Sequence, residues 1–65
     1  MCIRDRSLLA IRLEADGWAP EEAADEAVLA LSALEGALVL ARAQQDPAPL
    51  HTAGRLLARR LTPGR

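Results

Sequence analysis

Fifteen consecutive residues, Ala27 to Ala41, decide what this chain can fold into. Thirteen of them are Ala, Leu, Val or Gly, and only Ser32 and Glu35 interrupt the run. Ala and Leu are the strongest apolar helix formers and no Pro falls inside, so the run reads as helix rather than strand. A helix that is apolar nearly all the way round must be covered on most sides. Too few residues lie outside the run for this chain to supply that cover alone.

Size sharpens the shortage. The 65 residues make one small domain, and a chain of this length buries only about 60% of its unfolded surface. Small cores are usually reinforced by disulfides, metals or partners. Cys2 is the only Cys and His51 the only His, so neither a disulfide framework nor a zinc set is available. That leaves partners. The single thiol fits a reduced, cytoplasmic setting. The apolar run is shorter than the roughly 18–20 residues of a membrane span, and Glu35 and Gly36 lie within it. Residues 1–10 carry Arg4, Asp5 and Arg6 with no continuous apolar core, so no signal peptide is expected.

The opening Met-Cys-Ile-Arg-Asp-Arg is similar to a short adapter-derived translation found at the ends of unrelated metagenomic reading frames. Residues 1–6 are therefore expected to be non-native, with a natural coding sequence cut upstream of Ser7. From there the spacing predicts three helices. The first runs from Ser7 to Asp16, with Leu8, Ile11 and Ala15 as its apolar stripe and Leu9 and Leu13 beside them. Gly17 suits the left-handed cap that ends it, and Trp18 suits packing back on that end or stapling the next helix.

The second helix starts at Pro20, followed by Glu21, Glu22, Asp25 and Glu26 at the positive end of its macrodipole, and reaches Gln44 or Gln45. At 1.5 Å per residue that is a rod of about 37 Å, long enough to serve two neighbours. Ala27, Leu31, Leu34, Leu38 and Ala41 form one seam; Ala30, Ala33, Ala37 and Leu40 form a second. Ala33, Gly36 and Ala37 mark an expected close helix crossing, because Gly in mid-helix costs about 1 kcal/mol relative to Ala and a tight contact explains it. Asp46 and Pro47 then cap and open a third helix, Pro47 to Leu61, striped by Leu50, Ala53, Leu57 and Leu61 with Leu56 at the margin. The short linker predicts an antiparallel hairpin. Residues 63–65 read as a frayed tail. The fold class is all-α.

Charge is unevenly placed. Glu14 to Asp46 holds eight acids against Arg42 alone, whereas residues 47–65 hold four Arg and no acid. The two segments should attract each other within or between chains. Only Trp18 is aromatic, so no stacking platform for single-stranded nucleic acid exists. No catalytic, cofactor-binding or metal-ligating constellation is visible. His51 lacks a nucleophile, Ser32 lies mid-helix where a hydroxyl bonds back to the preceding turn, and there is no glycine-rich phosphate loop. An enzyme is not expected. Glu35 is the residue whose position asks for a reason: it is either an interface carboxylate paired with an Arg or a polar anchor on an otherwise apolar pocket wall. Arg42 lies two turns on, too far for a pair within the helix, but a symmetric antiparallel contact brings Arg42 of one chain to Glu35 of the other.

The stretch Glu35-Gly36-Ala37-Leu38-Val39-Leu40-Ala41-Arg42-Ala43, a short polar step, and Asp46-Pro47-Ala48-Pro49-Leu50 resembles the end of TetR/AcrR-family transcriptional regulators, in the branch with an LmrA/YxaF-like C-terminal domain. Leu13-Glu14-Ala15-Asp16-Gly17 with Pro20-Glu21-Glu22-Ala23 is similar to that family's helix junction. The resemblance covers about residues 7–61 and implies a C-terminal ligand-binding and dimerisation domain, residues 7–62, of an all-helical repressor. It implies a homodimer whose last two helices form half of a four-helix bundle, and a small apolar effector. Operator DNA would be met only through an N-terminal helix-turn-helix, which needs two shorter helices and a basic reading helix and is not seen in this chain. On that footing Leu31, Leu34, Glu35, Leu38, Arg42, Leu50, Ala53 and Leu57 are the expected dimer interface, and Leu29, Ser32 and Glu35 an effector-pocket wall. The alternative is a free-standing helical module that binds another protein's helices.

Overall fold

A computed structural model describes residues 3–62; the tail expected at 63–65 and Cys2 lie outside them. Among the described residues there are three α-helices and no strand: α1 (Ile3–Ala15), α2 (Pro20–Gln44) and α3 (Ala48–Leu61). The all-helical reading and all three elements stand. The first helix begins at Ile3 rather than Ser7, because Arg4, Asp5 and Arg6 continue the helical register with Asp5 in the favourable first turn.

Both reversals are built by the chain's own backbone. At the end of α1, Gly17 takes φ +104°, its N–H donates to the Glu14 carbonyl at 3.0 Å, and the Trp18 N–H donates to the Leu13 carbonyl at 3.0 Å. This is a Schellman cap, and glycine occupies the one residue that must be left-handed. The end of α2 repeats the pattern without glycine. Gln45 sits at φ 55°, and the Asp46 N–H donates to the Ala41 carbonyl at 3.0 Å. Asp46 then turns outward, its Oδ1 accepting from the Ala48 N–H at 3.0 Å. The Pro47 carbonyl accepts from Leu50 and His51, so α3 opens one residue later than its Pro suggested. Thr62 closes it, donating its hydroxyl to the Ala58 carbonyl.

α2 is the central element, with α1 and α3 packed against it. Its buried residues are Ala23, Ala27, Ala30, Ala37 and Ala41, a single stripe at seven-residue spacing. Of the two seams read from the sequence, Ala27, Ala30, Ala37 and Ala41 are buried on this face and Leu31 and Ala33 are half-buried, but Leu34, Leu38 and Leu40 are exposed, because the flanking helices cover only the alanine side of the rod. From α1 the stripe is met chiefly by Leu13, which is 2% exposed, with Arg6, Leu9 and Ala10 half-buried. Leu8, Ile11 and Ala15, expected to face inward, are exposed instead. The Gly17 cap sets the angle at which the chain re-enters, and that angle turns Leu13 toward α2. From α3 the stripe is met by Leu50, Ala53, Leu57 and Leu61, all half-buried as expected, while His51, Arg55 and Arg59 are in water.

The result is a plate rather than a ball. Its extents are 37 × 27 × 12 Å and its radius of gyration is 12.6 Å, against about 11 Å for a compact domain of this length. No described helix is long and apolar enough to cross a membrane.

Candidate functional site

The surface with most to explain is the side of α2 turned away from α1 and α3. At about 100° per residue, positions 28, 32, 36, 39 and 43 lie roughly opposite the buried alanine stripe. They are Val28, Ser32, Gly36, Val39 and Ala43, flanked by Leu29 and Leu40, and every one of them is exposed. Val39 is 65% and Leu40 53% exposed. Together they form an apolar ridge along most of the rod, with a notch where Gly36 has no side chain. A Cβ built on Gly36 would meet no atom of the chain within 4 Å. The glycine therefore answers no packing need inside the molecule.

The expected site residues divide around this ridge. Of the dimer set, Leu31, Leu50, Ala53 and Leu57 are half-buried within the chain, while Leu34 and Leu38 stand at its edge, 36% and 37% exposed. Glu35 and Arg42 are exposed beside the ridge. Of the crossing set, Ala37 is buried, Ala33 half-buried and Gly36 exposed. Of the pocket-wall set, Leu29 and Ser32 lie on the ridge and Glu35 on its flank. Sequence reasoning missed the ridge as a unit because Val28, Ser32 and Val39 belonged to neither seam. A helical projection centred on Gly36 rather than on the leucines would have found it.

The charge asymmetry has a concrete structural outcome. Arg60, near the end of α3, grips Glu26, near the start of α2, through two parallel bonds: Nε donates to Oε1 at 2.6 Å and a terminal nitrogen to Oε2 at 2.7 Å. The Glu26 side chain is 13% exposed and that of Arg60 53%. The hydrogen bond to Glu26, then its charge, hold the Arg60 guanidinium above its ordinary value. The pair fixes α2 and α3 as antiparallel and ties the open end of their hairpin. Arg12 and Asp16 make a looser pair at 3.4 Å on α1.

A depression of about 340 Å³ lies between α1 and α2, lined by Arg6, Ser7, Ala10, Ala24 and Asp25 and bordered by Val28 at the near end of the ridge. It is shallow and open. Among the described residues no group of three or more His, Cys, Asp or Glu could hold a metal ion.

Comparison with known proteins places this arrangement. Residues 4–56 match the family profile of the C-terminal domain of LmrA/YxaF-like transcriptional regulators, a TetR C-terminal domain. Proteins from two strains of Mycobacterium tuberculosis, each named an uncharacterized HTH-type transcriptional regulator, are 50% identical over 50 residues. That stretch is 77% of this chain but 26% of each relative, so the chain spans about a quarter of the length of the curated relatives it matches. No solved structure matches. With its three helices, its Gly17 junction and its Asp46-Pro47 hairpin all inside or bordering the matched span, the chain belongs to the family of LmrA/YxaF-like TetR C-terminal domains.

Proposed function

We propose that this chain is the effector-binding and dimerisation part of a TetR-type transcriptional repressor, and that it works without catalysis. The single observation behind the reading is that a chain matching a regulator's C-terminal domain carries an apolar ridge on its longest helix that its own helices leave uncovered. In this reading a homodimer forms through α2 and α3, and a small apolar effector is held against one side of α2, with Leu29, Ser32 and Glu35 on the wall. Operator DNA is contacted by a helix-turn-helix outside these 65 residues. α2 is too long and too apolar to be a reading helix, and the Arg-bearing α3 is tied back to α2 by Arg60. The working compartment is the cytoplasm.

The mechanism is a shift between dimer geometries. A ligand that binds one spacing of the two subunits better than the other moves the population toward it, and its effect on DNA affinity equals the coupling between the two sites. Sedimentation equilibrium of the purified chain tests the core of this reading. A concentration-dependent dimer is expected, and a folded monomer at the highest attainable concentration sinks it. A mobility-shift assay on duplex DNA should show no sequence-specific complex with this chain alone.

A further inference from the structure

We propose that Thr62 is a phosphorylation site, and that a phosphate there opens the Arg60–Glu26 clasp at the open end of the α2–α3 hairpin. The proposal stands apart from the dimer reading. It concerns residues beyond the family match, which ends at residue 56.

Accessibility singles out this hydroxyl. The chain has four Ser and Thr side chains, Ser7, Ser32, Thr52 and Thr62. The first three lie inside helices, where neighbouring turns crowd any approach. Thr62 is exposed and has already left the helix, at φ −65° and ψ 127°. Pro63 follows it in sequence, and a residue before proline is kept out of the helical region. Phosphoryl transfer needs the attacking oxygen, the phosphorus and the leaving oxygen roughly in line. An exposed hydroxyl on extended backbone meets that need directly.

Charge supplies the recognition. Arg59 and Arg60 stand three and two residues before Thr62, two cations that acidic groups on a protein kinase read through charge-assisted bonds. Arg55 and Arg59 are exposed and take part in no ion pair among the described residues. No acid occurs from Pro47 onward to repel the enzyme. Ser7 also follows two arginines, Arg4 and Arg6, but Asp5 lies between them and Ser7 sits within α1. In the reaction, Thr62 Oγ1 bonds to the γ-phosphorus of a Mg²⁺-bound nucleoside triphosphate, and its proton passes to the kinase's catalytic carboxylate. The nucleoside diphosphate leaves with the electron pair of the broken P–O bond.

The consequence follows from where the hydroxyl is. It donates to the Ala58 carbonyl and caps the last turn of α3. A phosphate removes that donor and places roughly two negative charges at the negative end of the helix macrodipole. Arg59, one turn back, offers an exposed ion pair in return, which is too weak to offset both losses. The last turn frays, and that turn carries Arg60 and Leu61, which hold this end of α3 to α2.

The test incubates the full chain with Mg·ATP and a protein kinase selective for arginine at these two positions, and locates the phosphate by mass spectrometry. Wild type should gain one phosphoryl group at Thr62 and Thr62→Ala none. Arg59→Gln should slow the transfer about tenfold, since one of the two charge-assisted partners is gone. By circular dichroism, the phosphorylated chain should melt about 4 °C or more below the unmodified one. In Glu26→Gln, where the clasp is already weakened, the shift should be clearly smaller. A wild-type chain left unmodified by an enzyme that phosphorylates a control peptide overturns the site, as does a phosphate found on Ser7 or Thr52 instead. A phosphate on Thr62 that leaves the melt unchanged, or shifts Glu26→Gln equally, overturns the opening of the clasp.

Discussion

Gln45 and Gly17 do the same job with unequal chemistry. Each is the left-handed residue that ends a helix, but a side chain in that conformation costs roughly 1–2 kcal/mol that glycine does not incur. Replacing Gln45 by Gly should therefore stabilise the chain by up to about 1 kcal/mol, after the flexibility glycine adds to the unfolded state is set against it; chemical denaturation followed by circular dichroism reads the difference. Leu13 is the opposite case. Among the described residues it is the one buried side chain larger than alanine, so Leu13→Ala should cost about 2–3 kcal/mol, a large share of the stability a chain this small can hold. Loss of the cooperative thermal transition is the expected signature. The Arg60–Glu26 pair sits between these extremes. Glu26→Gln should lower the melting temperature, and the gap to wild type should narrow as salt is raised from about 0.05 M to about 1 M, because the arginine end is open to screening ions. A guanidinium held above its ordinary value keeps its contribution through the neutral and mildly alkaline range and loses it only as pH rises through the raised value, so neutral and mildly alkaline melts should not differ on its account.

Among the helices, α2 carries an alanine stripe on one side and a valine, leucine and glycine ridge on the other, and this two-sidedness explains its length. Alanine lets α1 and α3 approach closely but buries little area per residue, so the interior is thin and the helices rely on being held at their ends. The caps at Gly17 and Gln45 and the clasp at Glu26 provide that. α3 shows the same economy at Gly54, a half-buried helix residue around which a Cβ would meet nothing within 4 Å. Gly54→Ala should raise stability by about 0.5–1 kcal/mol, measurable as a higher denaturation midpoint with an unchanged slope.

For the molecule as a whole, a flat plate 12 Å thick leaves its central helix covered on one side only. It spans about a quarter of the length of the relatives it matches and corresponds to the C-terminal domain of an LmrA/YxaF-like regulator. On the proposed dimer, association and folding are coupled, so the melting temperature of the wild-type chain should rise with protein concentration.

How much of this was legible beforehand follows from the kind of physics involved. Helix type, the bounds of α2, the Gly17 and Asp46-Pro47 breaks and the stripe on α3 are local, governed by propensity, caps and period over a few residues, and the sequence alone determines them. The family resemblance is equally local, carried by the residues from Glu35 to Leu50. Which face of a nearly all-apolar helix points inward is not local. On α2 nearly every side is greasy enough to be buried, and on α1 Leu8 and Ile11 compete evenly with Leu9 and Leu13. Only the approach angles set by two left-handed residues, and the reach of Arg60 to Glu26, decide between them, and those depend on where three helices come to lie in space.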